Sequence, residues 1–174
     1  MTSKEQAMKA VSVILNYIEG DNSREGLVDT PKRVIESFEE IYEGYAMDSS
    51  EVLSSTFNGE GYDGIVLLRD IEFHSTCEHH LQPFKGRAHV AYIPTDRIVG
   101  ISKLARLIEV YSKRLQIQEK MTAEIASTID EGETALGSVS SDIKVRWSVL
   151  NPDSDVVYDG IEIDESGILQ LSNP

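Results

Sequence analysis

The stretch GIVLLRDIEFHSTCEHHLQPFKGRAHVAYIP, residues 64–94, reads as two β-strands joined by a loop crowded with reactive side chains. Val, Ile, Leu and Phe fill residues 65–73 after Gly64, and residues 87–93 alternate well enough for a second strand ended by Pro94. Together they make a hairpin whose long connection carries Cys77, His79 and His80. His89 falls inside the second strand, where a lone histidine is read as a packing or hydrogen-bonding residue.

The quartet Cys77-Glu78-His79-His80 holds the only cysteine and two of the four histidines. A spacing of three lets a turn aim the Cys77 thiolate and a His80 nitrogen at one cation, while His79 points elsewhere. Zinc is the natural occupant, because it accepts mixed sulfur and nitrogen ligands in a tetrahedral shell. Taken alone, Cys-x-x-His is a weak motif, and a buried cysteine beside two surface histidines is the plainer reading.

On either side the chain alternates helical and extended patterns. Residues 4–19 place Ala7, Val11, Ile14, Leu15 and Ile18 on one helical face for packing, with Gly20 as the stop. Thr30 caps a second helix and Pro31 takes its first position, with Val34, Phe38, Ile41 and Tyr42 as the stripe and Gly44 as its end. Residues 46–62 are a polar connector. Ser102 caps a helix that buries Leu104, Leu107, Ile108, Tyr111 and Leu115. Lys103 and Arg106 share its first turns, where free N–H groups and the helix dipole also favour anions. A further helix, residues 118–130, turns Met121, Ile125 and Ile129 inward, and strands follow at 143–150, 156–163 and 168–171. The fold class is therefore α+β: an N-terminal helical region with its connector over residues 1–62, then a ββααββ unit with an antiparallel sheet over residues 63–174.

A chain of 174 residues with 40% hydrophobic content is long enough for one substantial core. No apolar run approaches a membrane span, and a single cysteine suits a reducing cytoplasm and leaves Cys77 free as a ligand. The net charge of −14 argues against nonspecific binding to nucleic acid or to an anionic membrane. Its distribution is uneven. Residues 1–76 carry 6 basic and 15 acidic groups, net −9; residues 77–122 carry 8 and 4, net +4; residues 123–174 carry 2 and 11, net −9. A polyphosphate ligand could be held only by the central block, which contains Lys103 and Arg106.

The blocks STCEHHL (75–81), AYIP (91–94), GISKLAR (100–106) and QIQE (116–119), with GL (26–27) and TPKR (30–33) upstream, resemble the GTP cyclohydrolase I family over about residues 24–128. The resemblance implies a tunnelling fold, a toroidal homodecamer with active sites between subunits, and a zinc enzyme acting on cyclic amidine C–N bonds. Its substrate is GTP: zinc-bound water attacks C8 of guanine, the carbon leaves as formate, and the product is 7,8-dihydroneopterin triphosphate, the entry to pterins and folates. Carried over by motif, Cys77 and His80 resemble Zn2+ ligands and His79 the catalytic proton carrier. Ser102, Lys103 and Arg106 resemble triphosphate contacts, while Gln118 and Glu119 resemble the guanine-binding pair.

The family takes its third zinc ligand from a His-x-Cys segment in the third strand of the sheet. Here that place falls on residues 144–149, and no cysteine or histidine follows His89. A substitute ligand, His74 or an acidic side chain, is one resolution; a noncatalytic GTP- or pterin-binding or assembly homologue is a second; a divergent, replaced C-terminal quarter, acidic and punctuated by Gly and Ser over residues 153–173, is a third. A nitrile reductase of the same fold ranks lower, since Cys77 cannot readily be both nucleophile and metal ligand.

Overall fold

Ser3 and Gly20 bracket the first helix, α1 (Lys4–Glu19). The Gln6 N–H donates to the Ser3 hydroxyl at 3.2 Å and the Ser3 N–H donates to the Gln6 side chain at 2.9 Å, which satisfies two of the donors a helix start leaves open. Gly20, at φ 77°, closes the other end in the left-handed conformation. After α2 (Glu25–Val28) comes α3 (Thr30–Ile41), which packs on α1 with Lys4 and Glu39 paired at 2.9 Å. Thr30 is not the cap of α3. It is the first helical residue, Asp29 holds the cap position without a side-chain bond, and the Thr30 hydroxyl donates to the Gly26 carbonyl at 3.2 Å. Of the stripe expected to pack α1, Ala7, Val11 and Leu15 are half-buried, while Ile14 and Ile18 stay 56% and 68% exposed.

This computed structural model describes residues 2–62, 64–94, 97–135, 144–148, 162–163 and 169–170, and from residue 130 onward only their backbone. The chain divides into two compact units, Met1–Glu43 and Gly44–Pro174. Among the described residues no helix is long and apolar enough to cross a membrane.

In the second unit the expected connector is structured. Asp48 caps α4 (Ser49–Leu53) by accepting from the Ser50 N–H at 2.9 Å, and β1 (Thr56–Asn58) follows. Then come β2 (Val66–Cys77), β3 (Pro83–Tyr92), β4 (Arg97–Val99), α5 (Ile101–Ser112), β5 (Leu115–Gln116) and α6 (Gln118–Ala135). Last are β6 (Lys144–Ser148), β7 (Glu162–Ile163) and β8 (Leu169–Gln170). The main sheet runs β5-β2-β3-β6. Its β2–β3 and β3–β6 pairs are antiparallel as expected, but β5 joins β2 in parallel. β1 pairs with β4, and β7 with β8, as separate antiparallel ribbons.

One face of β2 and β3 buries Phe73, Ala88, Val90 and Tyr92 against Leu104, Leu107 and Ile108 of α5 and Met121, Ile125 and Ile129 of α6. Each large apolar side chain so buried stabilises by about 1.5–3 kcal/mol, so these helices are fixed to the sheet rather than draped on it. The other face is polar. A bulge between Leu68 and Ile71 puts Asp70 at φ 59°, and its N–H donates to His89 Nδ1 at 3.3 Å, which gives His89 the hydrogen-bonding role expected of it.

Candidate active site

The hairpin connection is short, not long. Strand pairing continues past Phe73 to Thr76 opposite Pro83, so Cys77 is the last residue of β2 and only residues 78–82 turn the chain. The Cys77 N–H donates to the Gln82 carbonyl at 2.8 Å and the Leu81 N–H to the Cys77 carbonyl at 2.9 Å, with Leu81 at φ 55°. This tight closure brings Cys77 Sγ to 3.8 Å from His80 Nδ1 and 3.9 Å from His79 Nδ1. His79 therefore does not point away from the sulfur, as its place between the two ligands suggests; both rings lean to the same side of the turn. Backbone N–H groups of His79 and His80 beside the sulfur hold the Cys77 thiol below its ordinary range, and the His79 side chain adds to them.

A tetrahedral zinc with bonds of about 2.3 Å to sulfur and about 2.0 Å to nitrogen separates the two donors by about 3.6 Å. The 3.8 Å between Cys77 and His80 fits that within a small side-chain movement. Cys77 and His80 thus have the spacing of a pair of zinc ligands, one fewer than the three protein ligands a catalytic zinc takes. No group of three His, Cys, Asp or Glu side chains suited to a metal occurs among the described residues. His74 does not complete the set: it is exposed on β2 an odd number of residues from Cys77, and successive strand residues face opposite sides. β6 lies beside β3 with Arg146 opposite His89, yet it brings neither cysteine nor histidine.

The second part of the site is the junction of β5 and α6. Gln116 is in register with Cys77, and its carbonyl accepts from the Glu78 N–H at 3.1 Å. Lys120 Nζ reaches Glu78 Oε2 at 3.5 Å, tying the first turn of α6 to the same loop. Gln118, half-buried, and Glu119, exposed, therefore start their helix beside the Cys77–His80 turn. Sequence reading gave no separate role to Gln116 or Lys120. Gln116 lies in a quoted motif, but its pairing with Cys77 joins segments 39 positions apart and leaves no local signal.

Ser102, Lys103 and Arg106 lie at the opposite end of α5. The helix starts at Ile101 with Gly100 at the cap, so Ser102 is its second residue and not its cap. Gly100 offers no side-chain oxygen, so the helix start has no side-chain cap among the described residues. Lys103 is half-buried and Arg106 exposed. Since α5 ends three residues before β5, the nine steps from Lys103 to Ser112 and the six from Arg106 place these cations about 14 Å and about 9 Å along the axis from the end nearest Cys77.

The family model for GTP cyclohydrolase I matches residues 7–141. A curated GTP cyclohydrolase 1 from Wolinella succinogenes is 50% identical over 132 residues, covering 75% of this chain and 71% of its own length. That from Sinorhizobium fredii is 51% identical over 130 residues, 74% of this chain and 63% of its own length, so the chain spans less than two thirds of that relative. The Rickettsia bellii protein is 49% identical over 150 residues, 86% and 76% respectively.

Proposed function

The chain belongs to the GTP cyclohydrolase I family, and on that premise we propose that it is the hydrolase that opens the guanine ring of GTP at C8, releases formate and forms 7,8-dihydroneopterin triphosphate. One observation carries the assignment of residues: the short parallel pairing of Thr76–Cys77 with Leu115–Gln116 sets the Cys-x-His-His turn beside the Gln118–Glu119 helix start.

Cys77 and His80 would hold the metal, which would supply Lewis acidity and lower the pKa of the water that serves as nucleophile. His79, whose Nδ1 lies 3.9 Å from Cys77 Sγ, takes and returns protons as the C–N bonds of the ring break. The Glu119 carboxylate accepts from two adjacent guanine N–H groups and Gln118 adds amide hydrogen bonds, so a purine without the exocyclic amine leaves an acceptor unpaired. Lys103 and Arg106, with the Ser102 hydroxyl and the open N–H groups of the α5 start, hold the triphosphate.

The family implies oligomeric assembly, and a toroidal homodecamer is the form we propose. The net charge of −14 supports the reading without membrane or nucleic-acid partners, and the single cysteine supports cytoplasmic residence. Zinc content measured together with formate and the neopterin product released from GTP tests the reading. GTP binding without formate release would favour a binding homologue, toward which the lack of any Cys or His after His89 points.

A further inference from the structure

Gln116 is 1% exposed and stands where three pieces of the site meet. Its backbone pairs with Cys77 and accepts from the Glu78 N–H. Its side-chain amide donates to the Tyr111 carbonyl in the last turn of α5 at 3.1 Å, and to the Glu124 carboxylate of α6 at 2.8 Å. The amide oxygen is buried as well and has no hydrogen-bond partner among the described residues. An unpaired buried acceptor is unfavourable, and methionine would fill the same space without one. What methionine lacks is the donor pair that joins β5 to two helices at once.

We infer that Gln116 is a positioning residue: it fixes how far Glu119 stands from the Cys77–His80 turn without itself touching substrate. The inference rests on the reading of Glu119 as the guanine-binding carboxylate. α6 begins two residues after Gln116, so rotation about Ile117 would swing Glu119 away while Cys77 stayed in the sheet. Glu124 lies six residues into α6, about 9 Å along its axis, and a bond held there sets the direction of the whole first turn. The Lys120–Glu78 pair, whose side chains are 47% and 33% exposed, is the weaker second tie.

The test is Gln116→Met in the full zinc-loaded chain, alone and with Glu119→Ala, read by calorimetric binding of GTP and of inosine triphosphate, which lacks the exocyclic amine. Alone it should lower GTP affinity about tenfold and narrow the preference for GTP by a similar factor, with zinc content unchanged and a lower melting temperature from the two lost hydrogen bonds. With Glu119 already removed, the same change should alter GTP affinity less than about twofold, because the group it positions is gone. Equal losses in both backgrounds would overturn the inference. Should Gln116→Met fail to fold, Glu124→Leu ought to reproduce the narrowed preference and Glu124→Gln, still an acceptor, ought to restore it; identical preferences in those two variants would also overturn it. If Glu119→Ala bound GTP and inosine triphosphate as the wild type does, both the guanine assignment and the inference would fall, whereas a normal Glu119 effect without coupling would remove the inference alone.

Discussion

Cys77 Sγ stands 3.8 Å from His80 Nδ1, a separation that one zinc ion bridges with little movement, and His79 Nδ1 is nearly as close at 3.9 Å. The two imidazoles are then told apart by what their loss does. His80→Ala should strip the metal, since it removes one of the two residues proposed to hold it. His79→Ala should keep the metal and lower the rate of formate release by about 10²–10⁴-fold, the usual worth of a positioned proton carrier. Zinc analysis beside turnover decides it, and loss of metal in the His79 variant with retention in the His80 variant would exchange their roles.

The two ends of the nucleotide are separable in the same way. Lys103→Ala should weaken GTP about ten- to a hundredfold while leaving guanosine almost unchanged, since it removes a charge-assisted contact to phosphate alone. Glu119→Ala should weaken both ligands by a similar factor. Binding measured for the two compounds checks this, and equal effects of the lysine change on them would dismiss its triphosphate role.

Gly44 is required for a reason of space. A methyl group there would overlap the Val110 carbonyl oxygen and come within 2.7 Å of the Lys113 carbonyl oxygen, both backbone atoms that cannot turn aside. The same residue donates its N–H to the Lys113 carbonyl at 3.1 Å and accepts from Arg114 Nε at 3.0 Å, while the Arg114 guanidinium lies 4.6 Å over the Tyr111 ring. Gly44→Ala should therefore destabilise by about 3 kcal/mol. Urea denaturation would show a lower midpoint, and an unchanged midpoint would mean that the chain from Gly44 onward yields more easily than its contacts indicate.

Most of the long elements were legible because burial follows period. Leu104, Leu107 and Ile108, or Met121, Ile125 and Ile129, repeat at helical spacing and are all buried. Hairpin length was not legible. Residues 74–77 and 83–86 carry Ser, Thr, Pro and Gly, which read as loop, yet the ladder is made by backbone groups and Pro83 stands at a strand's first position, where it is tolerated. Ser102 misled for a related reason: it is the better cap by type, but β4 ends at Val99 and the chain turns into α5 at once, leaving Gly100 at the cap. The Cys77–Gln116 pairing joins distant segments through two residues of strand, and local pattern records nothing of it. The candidate side chains could be named from motif, whereas the contact that brings Cys77 beside the Gln118–Glu119 helix start could not.

Tyr92 offers a test of how the phosphate end is held. It is 1% exposed, and its hydroxyl accepts from the Val99 N–H at 2.8 Å while donating to the Val99 carbonyl at 3.1 Å. One phenol thus satisfies both polar backbone groups of a residue that is itself 3% exposed and stands two positions before α5 begins. Tyr92→Phe keeps the ring and its packing but leaves that donor and acceptor without this partner, at a cost of about 2–3 kcal/mol. The loss falls on the hinge from β4 into the helix that carries Ser102, Lys103 and Arg106, so GTP should weaken more than guanosine although none of those three residues is changed. Thermal melts and binding of the two ligands would show it together. A variant with wild-type melting and an unaltered ratio of the two affinities would mean that α5 is held by its buried face alone.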